Sequence, residues 1–137
     1  MHEKKAKGDL SVVKVIARLT ELEWTVGVLI TEHAKYDLFA EKEGKMIRVQ
    51  VRTGRIRDGS VRASLRNSWS DKNGCHVRAR QRGDYDVLAV HCPENGDIYF
   101  LIDECLGANG SEVYLRLSPP KNFQKRKIHL ADNHRTI

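Results

Sequence analysis

The strongest constraint on the fold is a two-residue alternation in the segment MIRVQVR, residues 46–52. Apolar and polar side chains of this segment point in opposite directions: Ile47, Val49 and Val51 to one face, and Arg48, Gln50 and Arg52 to the other. Such alternation is typical of a β-strand with one buried face. A second predicted strand, 36–41, precedes it, and Gly44 lies in the short connection between them. The two strands therefore predict an antiparallel hairpin.

The rest of the chain predicts one long helix followed mainly by strands. The helix is predicted over 9–23, with Asp9 as its N-cap. Further strands are predicted at 25–30, 60–65, 86–91, 97–102 and 113–117. Residues 54–59 are predicted to form a basic loop, and 67–83 a loop or a short helix. This order predicts an α/β (α+β) fold in which helices flank a central mixed β-sheet.

Length and composition predict a single domain that spans residues 1–137. No apolar run approaches the roughly 18 residues that a membrane-spanning helix needs, so we expect no contact with a membrane. The charged N-terminus has no apolar segment typical of a secretion signal. The three cysteines are Cys75, Cys92 and Cys105, which have neither disulfide nor zinc-site spacing. These features predict a cytoplasmic, intracellular protein with free thiols.

Positive charge is concentrated between residues 52 and 82. Nine Lys or Arg residues in this segment against two Asp leave +7, although the whole chain carries only +6. A local basic block rich in arginine is typical of a surface that binds phosphate groups. A solvated basic face without a partner is the alternative that composition leaves open.

An acid, an amide and a guanidinium recur in the predicted hairpin at Asp37, Gln50 and Arg52. The chain runs out along one strand and back along the next, so a dozen intervening residues can bring the first two side chains together. A carboxylate and a second oxygen ligand can hold a hard cation such as Mg²⁺ (or Mn²⁺). Asp9 is a third candidate ligand, although a role as N-cap would already explain it. The alternatives are an ordinary strand-end acid for Asp37, a solvated strand residue for Gln50, and the first arginine of the basic block for Arg52.

At these residues the chain resembles the PD-(D/E)XK nucleases. More narrowly, it resembles the small branch of group I intron homing endonucleases, which carry YDL followed by QVKTG. The matching segments here are YDL at 36–38 and QVRTG at 50–54. KGD at 7–9 and LRLSPPKNFQ at 115–124 also match the family's opening and tail, so the resemblance covers most of the chain.

The resemblance implies a restriction-endonuclease-like core and metal-dependent hydrolysis of double-stranded DNA at a specific sequence. Asp37 and Gln50 would hold Mg²⁺, and Arg52 would act on the scissile phosphate. A small nuclease cannot cover a long target alone, and symmetry suits a two-stranded cut. We therefore expect a homodimer or a homotetramer.

DNA contacts are expected from the basic segment, 52–82, and from the basic tail, 118–137. The predicted DNA-binding residues are basic or can stack on or hydrogen-bond to DNA: Arg55, Arg57, Arg62, Arg66, Trp69, Arg78, Arg80, Arg82, Lys121 and Asn122. Arginines track the phosphate backbone or read guanines with two hydrogen bonds, and a tryptophan can stack on a base.

Two departures from the family pattern open a second interpretation. The family has lysine at the position of Arg52, and arginine supplies charge but does not carry protons. The family also tends to place a glutamate on the first helix near Val12, whose side chain cannot bind metal. The alternative is therefore a DNA-binding protein whose nuclease site has decayed. A third interpretation, contact with ribosomal RNA, leaves the hairpin constellation unexplained.

Overall fold

The computed structural model describes residues 3–31, 34–107, 110–119 and 129–137. The described elements are α1 (Glu3–Glu21), β1 (Thr25–Val28), β2 (Leu38–Lys42), β3 (Lys45–Thr53), β4 (Arg55–Arg57), β5 (Ser60–Ser64), β6 (Asn67–Asp71), β7 (Gly74–Arg78), β8 (Val87–Cys92), β9 (Asp97–Ile102), β10 (Glu112–Arg116) and β11 (His129–Leu130). Two short 3₁₀ turns, Asp103–Cys105 and Ala131–His134, follow β9 and β11. No helix in these ranges is long and apolar enough to cross a membrane.

The central sheet has five strands in the order β1-β2-β3-β8-β9. Strands β3 and β8 are parallel, whereas the other neighbours are antiparallel, so the predicted mixed sheet is confirmed. The predicted hairpin is formed by β2 and β3, with Leu38 opposite Val49 at its open end. Glu43 and Gly44 both have positive φ in the turn, which glycine accepts more readily than other residues.

The α-helix of the described ranges, α1, packs on one face of this sheet. Val15 and Leu19 are completely buried there, together with Val49 and other apolar residues of β2, β3, β8 and β9. The predicted start of the helix was wrong, because α1 begins at Glu3. Asp9 therefore lies inside the helix, exposed to solvent, and does not cap it. Ala6 and the lysines before Asp9 are good helix formers, which explains the earlier start.

In the described ranges a second sheet covers the other face, where the sequence predicted a further helix. Its strand order is β11-β10-β5-β4, and Val61 and Leu115 of this sheet pack with Leu88 and Val90 of the central one. The predicted loop at 54–59 was wrong, because it contains β4. Strands β4 and β5 form a hairpin whose turn, Asp58-Gly59, has positive φ at both residues, as in the tight turns that suit the twist of β-hairpins.

Residues 67–78 form a separate two-stranded hairpin, β6–β7, instead of the predicted loop or short helix. Most described side chains in it are exposed, and Val77 is 65% exposed. Its strand sequences, NSWSD and GCHVR, are mainly polar. Hydrophobic alternation therefore gave no sign of them, since both faces of this hairpin meet solvent.

Candidate active site

Asp37 lies at the open end of the β2–β3 hairpin. There the Asp37 side chain adds hydrogen bonds to those of the hairpin backbone. Its backbone N–H donates to the Val49 carbonyl at 2.9 Å. Its Oδ2 accepts the Val51 N–H at 2.8 Å and the Gln50 Nε2 at 3.0 Å. The predicted meeting of Asp37 and Gln50 is thus present in the structure, and follows from the register that places Leu38 opposite Val49.

The carboxylate of Asp37 is held in an environment that disfavours its charge. Burial raises the pKa of Asp37 above its ordinary value of 3.8, although the Val51 N–H and the positive charge of Arg52 oppose this rise. Gln50, which contacts the Asp37 carboxylate, is only 5% exposed and carries no charge. A cation beside the carboxylate would stabilise the ionised form, because opposite charges attract more strongly in a desolvated site.

Arg52 extends from β3 towards the connection between β5 and β6. Its Nε donates to the Ser64 carbonyl at 3.1 Å, and its Nη2 donates to the Arg66 carbonyl at 3.3 Å and to Asn67 Oδ1 at 2.6 Å. Burial lowers the pKa of Arg52, against the negative charge of Asp37, which raises it. The guanidinium therefore influences Asp37 through its charge, while its described hydrogen bonds go to main-chain oxygens and to Asn67.

The predicted metal ligands are only partly assembled. Asp9 is exposed on α1, and no described contact joins it to Asp37 or Gln50. Val12 is half-buried and packs on the helix-side core. The described ranges contain no group of three or more His, Cys, Asp or Glu side chains arranged to hold a metal ion.

The remaining oxygen donors fit a metal ion that is shared with a substrate. Both described hydrogen bonds to the Asp37 carboxylate end on Oδ2, so Oδ1 has no donor among the described residues. The Gln50 amide donates from Nε2 to Asp37, and no described donor bonds to its Oε1. Mg²⁺ commonly takes one or two carboxylates and completes its shell with water and phosphate oxygens. One carboxylate and one amide oxygen meet that minimum.

The predicted DNA-contacting arginines divide into two groups. Arg55, Arg57 and Arg66 are exposed and form no ion pair with a described residue. By contrast, Arg62 pairs with Asp58 at 3.2 Å and lies over the Tyr114 ring. The first group therefore offers the most available positive charge.

Two arginines near the end of the basic segment, Arg78 and Arg82, make ion-pair contacts within the protein. Arg78 is half-buried and makes a forked ion pair with Asp84, at 3.3 and 3.4 Å. Arg82 is about half exposed and lies 4.0 Å from Asp103.

The prediction that Arg80 contacts DNA is wrong for this structure. Its side chain is completely buried, pairs with Asp103 and donates to the Gly107 carbonyl at 2.6 Å. A buried ion pair of this kind is part of the core, and it offers no surface to a phosphate.

The predicted stacking role of Trp69 and the predicted contacts of Lys121 and Asn122 remain predictions. Strand β6 includes Trp69, but the described side chains do not include it, and both Lys121 and Asn122 lie outside the described residues. Two residues near the site had no sequence signal. They are Asn67, which accepts from Arg52, and Asp84, which pairs with Arg78.

Replacing Asp37 by asparagine is expected to stabilise the fold at neutral pH. An acid whose pKa is raised by folding contributes stability below about pH 3.8, and this contribution is lost as the pH rises through the folded value. Asparagine does not titrate, so its advantage over the parent should grow as the pH rises. We expect a gain of about 1 kcal/mol at pH 7, a size common for stabilising changes at functional positions.

Urea denaturation at several pH values measures this gain. Asp58→Asn is the matched control, because the Asp58 side chain is 88% exposed and paired only at the surface. Its stability at pH 7 should stay close to that of the parent. An Asp37→Asn variant less stable than the parent at pH 7 would show that the bonds to Val51 and Gln50 outweigh the cost of the buried charge.

Comparison with known proteins agrees with the fold. A family model described as PD-(D/E)XK endonuclease matches residues 2–137. Among solved structures, a bacterial homing endonuclease, I-Ssp6803I, superposes with a TM-score of 0.76 and 20% sequence identity, over 98% of this chain and 89% of that one. No curated protein matches the chain significantly. Since the family match covers nearly every residue, the chain that carries the Asp37–Gln50 hairpin belongs to the PD-(D/E)XK endonuclease family.

Proposed function

We propose that the protein is a metal-dependent, sequence-specific endonuclease of the homing type that hydrolyses double-stranded DNA. The observation that carries the proposal is the contact between Asp37 and Gln50 across the β2–β3 hairpin. It leaves one carboxylate oxygen and one amide oxygen free of donors among the described residues. Members of the family generally use divalent metal ions, and this pair is the donor set that the hairpin offers to one.

Each residue of the site has a separate role in this proposal. Asp37 and Gln50 would hold Mg²⁺ or Mn²⁺, which would supply positive charge beside the scissile phosphate and favour deprotonation of the attacking water. Arg52 places a permanent positive charge near Asp37 and the scissile phosphate. Because arginine stays protonated, Arg52 takes no proton from the attacking water.

The DNA-binding surface is proposed to begin directly beyond this site. Strand β3 ends at Thr53, and the exposed Arg55 and Arg57 follow on β4. These arginines bind the phosphate backbone. The β6–β7 hairpin is a two-stranded ribbon, and the major groove of DNA is wide enough to admit such a ribbon. A homodimer or homotetramer would bring two sites to opposite strands.

A supercoiled-plasmid nicking assay tests the proposal. Purified protein is incubated with plasmid in Mg²⁺, in Mn²⁺ and in a chelator, and a library of inserted sequences is used to find a preferred site. We expect nicking and linearisation only with a divalent ion, and at a restricted set of sequences. Metal-independent cutting, or a lack of cutting on every insert, would contradict the enzymatic proposal.

A DNA-binding protein with a decayed nuclease site is the second candidate. It is favoured because Asp37 is the only described carboxylate that contacts Gln50, and because hydrogen bonds occupy Arg52. In that case the protein should bind duplex DNA with the same salt dependence but cut none of the inserts. The binding measurement below, combined with the nicking assay, separates the two candidates.

Affinity for duplex DNA is expected to fall steeply with salt concentration. Each phosphate that the protein neutralises releases counterions and contributes a slope of about −0.9 to the plot of log affinity against log salt. Replacing Arg55 and Arg57 together by alanine should make that slope less steep by roughly one to two. Fluorescence anisotropy with a labelled duplex, at several salt concentrations and without metal, measures the slope.

The control removes two exposed charges from another part of the surface. Lys14 lies on α1 and Lys45 at the start of β3, and both are exposed. A Lys14→Ala/Lys45→Ala variant has the same net charge as the Arg55→Ala/Arg57→Ala variant. If both variants change the slope equally, the DNA-binding surface is not on β4.

A further inference from the structure

Among the described side chains, those that hold the β6–β7 hairpin to the rest of the protein make polar contacts at its base. Asn67 and Arg78 lie opposite each other at that base. No described side chain of 67–78 belongs to either core cluster. The orientation of the hairpin therefore depends strongly on what its two base residues bind.

Arg52 holds the first base residue. Its Nη2 donates to Asn67 Oδ1 at 2.6 Å, and the same guanidinium also bonds to the carbonyls of Ser64 and Arg66. These three acceptors lie along the chain that leads from β5 into β6. The Arg52 guanidinium thus fixes the segment that leads into β6 relative to β3, the strand that also carries Gln50.

Asp84 holds the second base residue. Its carboxylate receives the Arg78 guanidinium at 3.3 and 3.4 Å, and the Gln81 N–H at 3.0 Å. Asp84 is 7% exposed and lies just before β8, which pairs with β3. Both base residues are therefore anchored to segments that flank or form the candidate site.

We propose that Arg52 is a positioning residue that fixes the β6–β7 hairpin relative to the Asp37–Gln50 pair. The role explains why arginine stands where the family has lysine. Arginine presents several donors in a rigid fork, whereas a lysine ammonium on a flexible stem cannot reproduce that planar geometry. The consequence for DNA rests on the proposed function: a correctly placed hairpin enters the groove while the scissile phosphate lies at Asp37.

The first test follows the hairpin in the free protein and does not depend on catalysis. Hydrogen exchange of the β6 and β7 amides is measured in the parent and in Asn67→Ala, Arg52→Lys and Asn67→Asp. We expect about tenfold faster exchange in the first two, because hydrogen bonds to charged groups are among the stronger ones and local opening is set by such contacts. Asn67→Asp keeps an oxygen acceptor for Arg52 and should retain protection.

Ser68→Ala is the matched control for this test. Ser68 is an exposed residue next to Asn67 on the same strand, and no described side-chain hydrogen bond involves it. Its exchange should equal that of the parent, and the β8 amides should stay protected in all variants that remain folded. Unchanged hairpin exchange in either Asn67→Ala or Arg52→Lys would overturn the proposal, as would a failure of Asn67→Asp to retain protection.

The second test separates positioning from direct catalysis by nicking kinetics. Asn67→Ala should raise the DNA concentration for half-maximal nicking by about tenfold, with a maximal rate within about twofold of the parent. If Asn67→Ala nicks DNA with the kinetics of the parent while Arg52→Lys has a changed maximal rate, Arg52 is a direct catalytic group. That result would overturn the proposal. If the parent does not nick DNA at all, the proposed function fails, and hydrogen exchange still decides the role of Arg52.

Discussion

Replacing Asp37 by asparagine is expected to reduce metal-dependent nicking by more than about 100-fold. Asp37 is the only carboxylate in contact with Gln50 among the described residues, so its loss leaves a divalent ion without a charged ligand. Even groups that only support a metal ligand commonly contribute 10–100-fold to affinity or activity. DNA binding without metal should stay equal or become tighter, because one negative charge near the phosphates is removed.

Asp86→Asn is a closely matched control for this experiment. Asp86 flanks the other edge of β3, where its Oδ2 accepts the Arg48 N–H at 2.7 Å, much as Asp37 accepts the Val51 N–H. It also pairs with the Arg48 guanidinium at 3.1 Å, so its carboxylate is already neutralised. Nicking by Asp86→Asn should remain within several-fold of the parent. If Asp37→Asn cuts as fast as the parent, the candidate site is misplaced.

The parts of the fold that the sequence predicts are those in which one face is buried and the other is not. The hairpin of β2 and β3 was predicted because Ile47, Val49 and Val51 alternate with polar residues, and Gly44 marks the turn. The hairpin β6–β7 and the strand β4 were missed for the opposite reason. Their polar residues face solvent, so burial imposes no period on their sequences.

The candidate site was predictable to the extent that backbone geometry determines it. The spacing between Asp37 and Gln50 follows from the length of a hairpin, and the two side chains do meet. The partner of Arg52 was not predictable, because Asn67 belongs to a different sheet and reaches Arg52 only after β5 has crossed the other face. Contacts between sheets depend on tertiary packing, and a single sequence carries no periodic signal for them.

Charge counts from sequence also do not separate surface residues from buried ones. Arg80 adds to the basic block in the same way as Arg55, yet one is completely buried and the other exposed. The partners that neutralise the buried arginine, Asp103 and the Gly107 carbonyl, lie more than twenty residues along the chain. The available positive charge is therefore smaller than the +7 of the segment suggests, which makes each exposed arginine more important for DNA binding.

Replacing Arg80 by alanine is expected to lower the free energy of unfolding by about 3–5 kcal/mol, the usual cost of breaking a buried ion pair. The change removes the ion pair with Asp103, the hydrogen bond to the Gly107 carbonyl and the packing of the guanidinium 5.1 Å from the centre of the Tyr85 ring. It also leaves a cavity in the core. Arg80→Met fills most of that cavity without the charge, so its loss should be smaller.

Arg82→Ala distinguishes this structural role from a role in DNA binding. Arg82 is about half exposed and 4.0 Å from the same Asp103, so its loss should cost less than about 1 kcal/mol. Urea denaturation gives the stabilities, and anisotropy at low temperature, where Arg80→Met remains folded, gives the salt slope of DNA binding. Arg80→Met should keep the parental slope, because a buried guanidinium neutralises no phosphate. Suppose instead that a variant at Arg80 keeps full stability but has a salt slope less steep by about one. Arg80 would then lie at the DNA-binding surface, and Asp103 would need another partner.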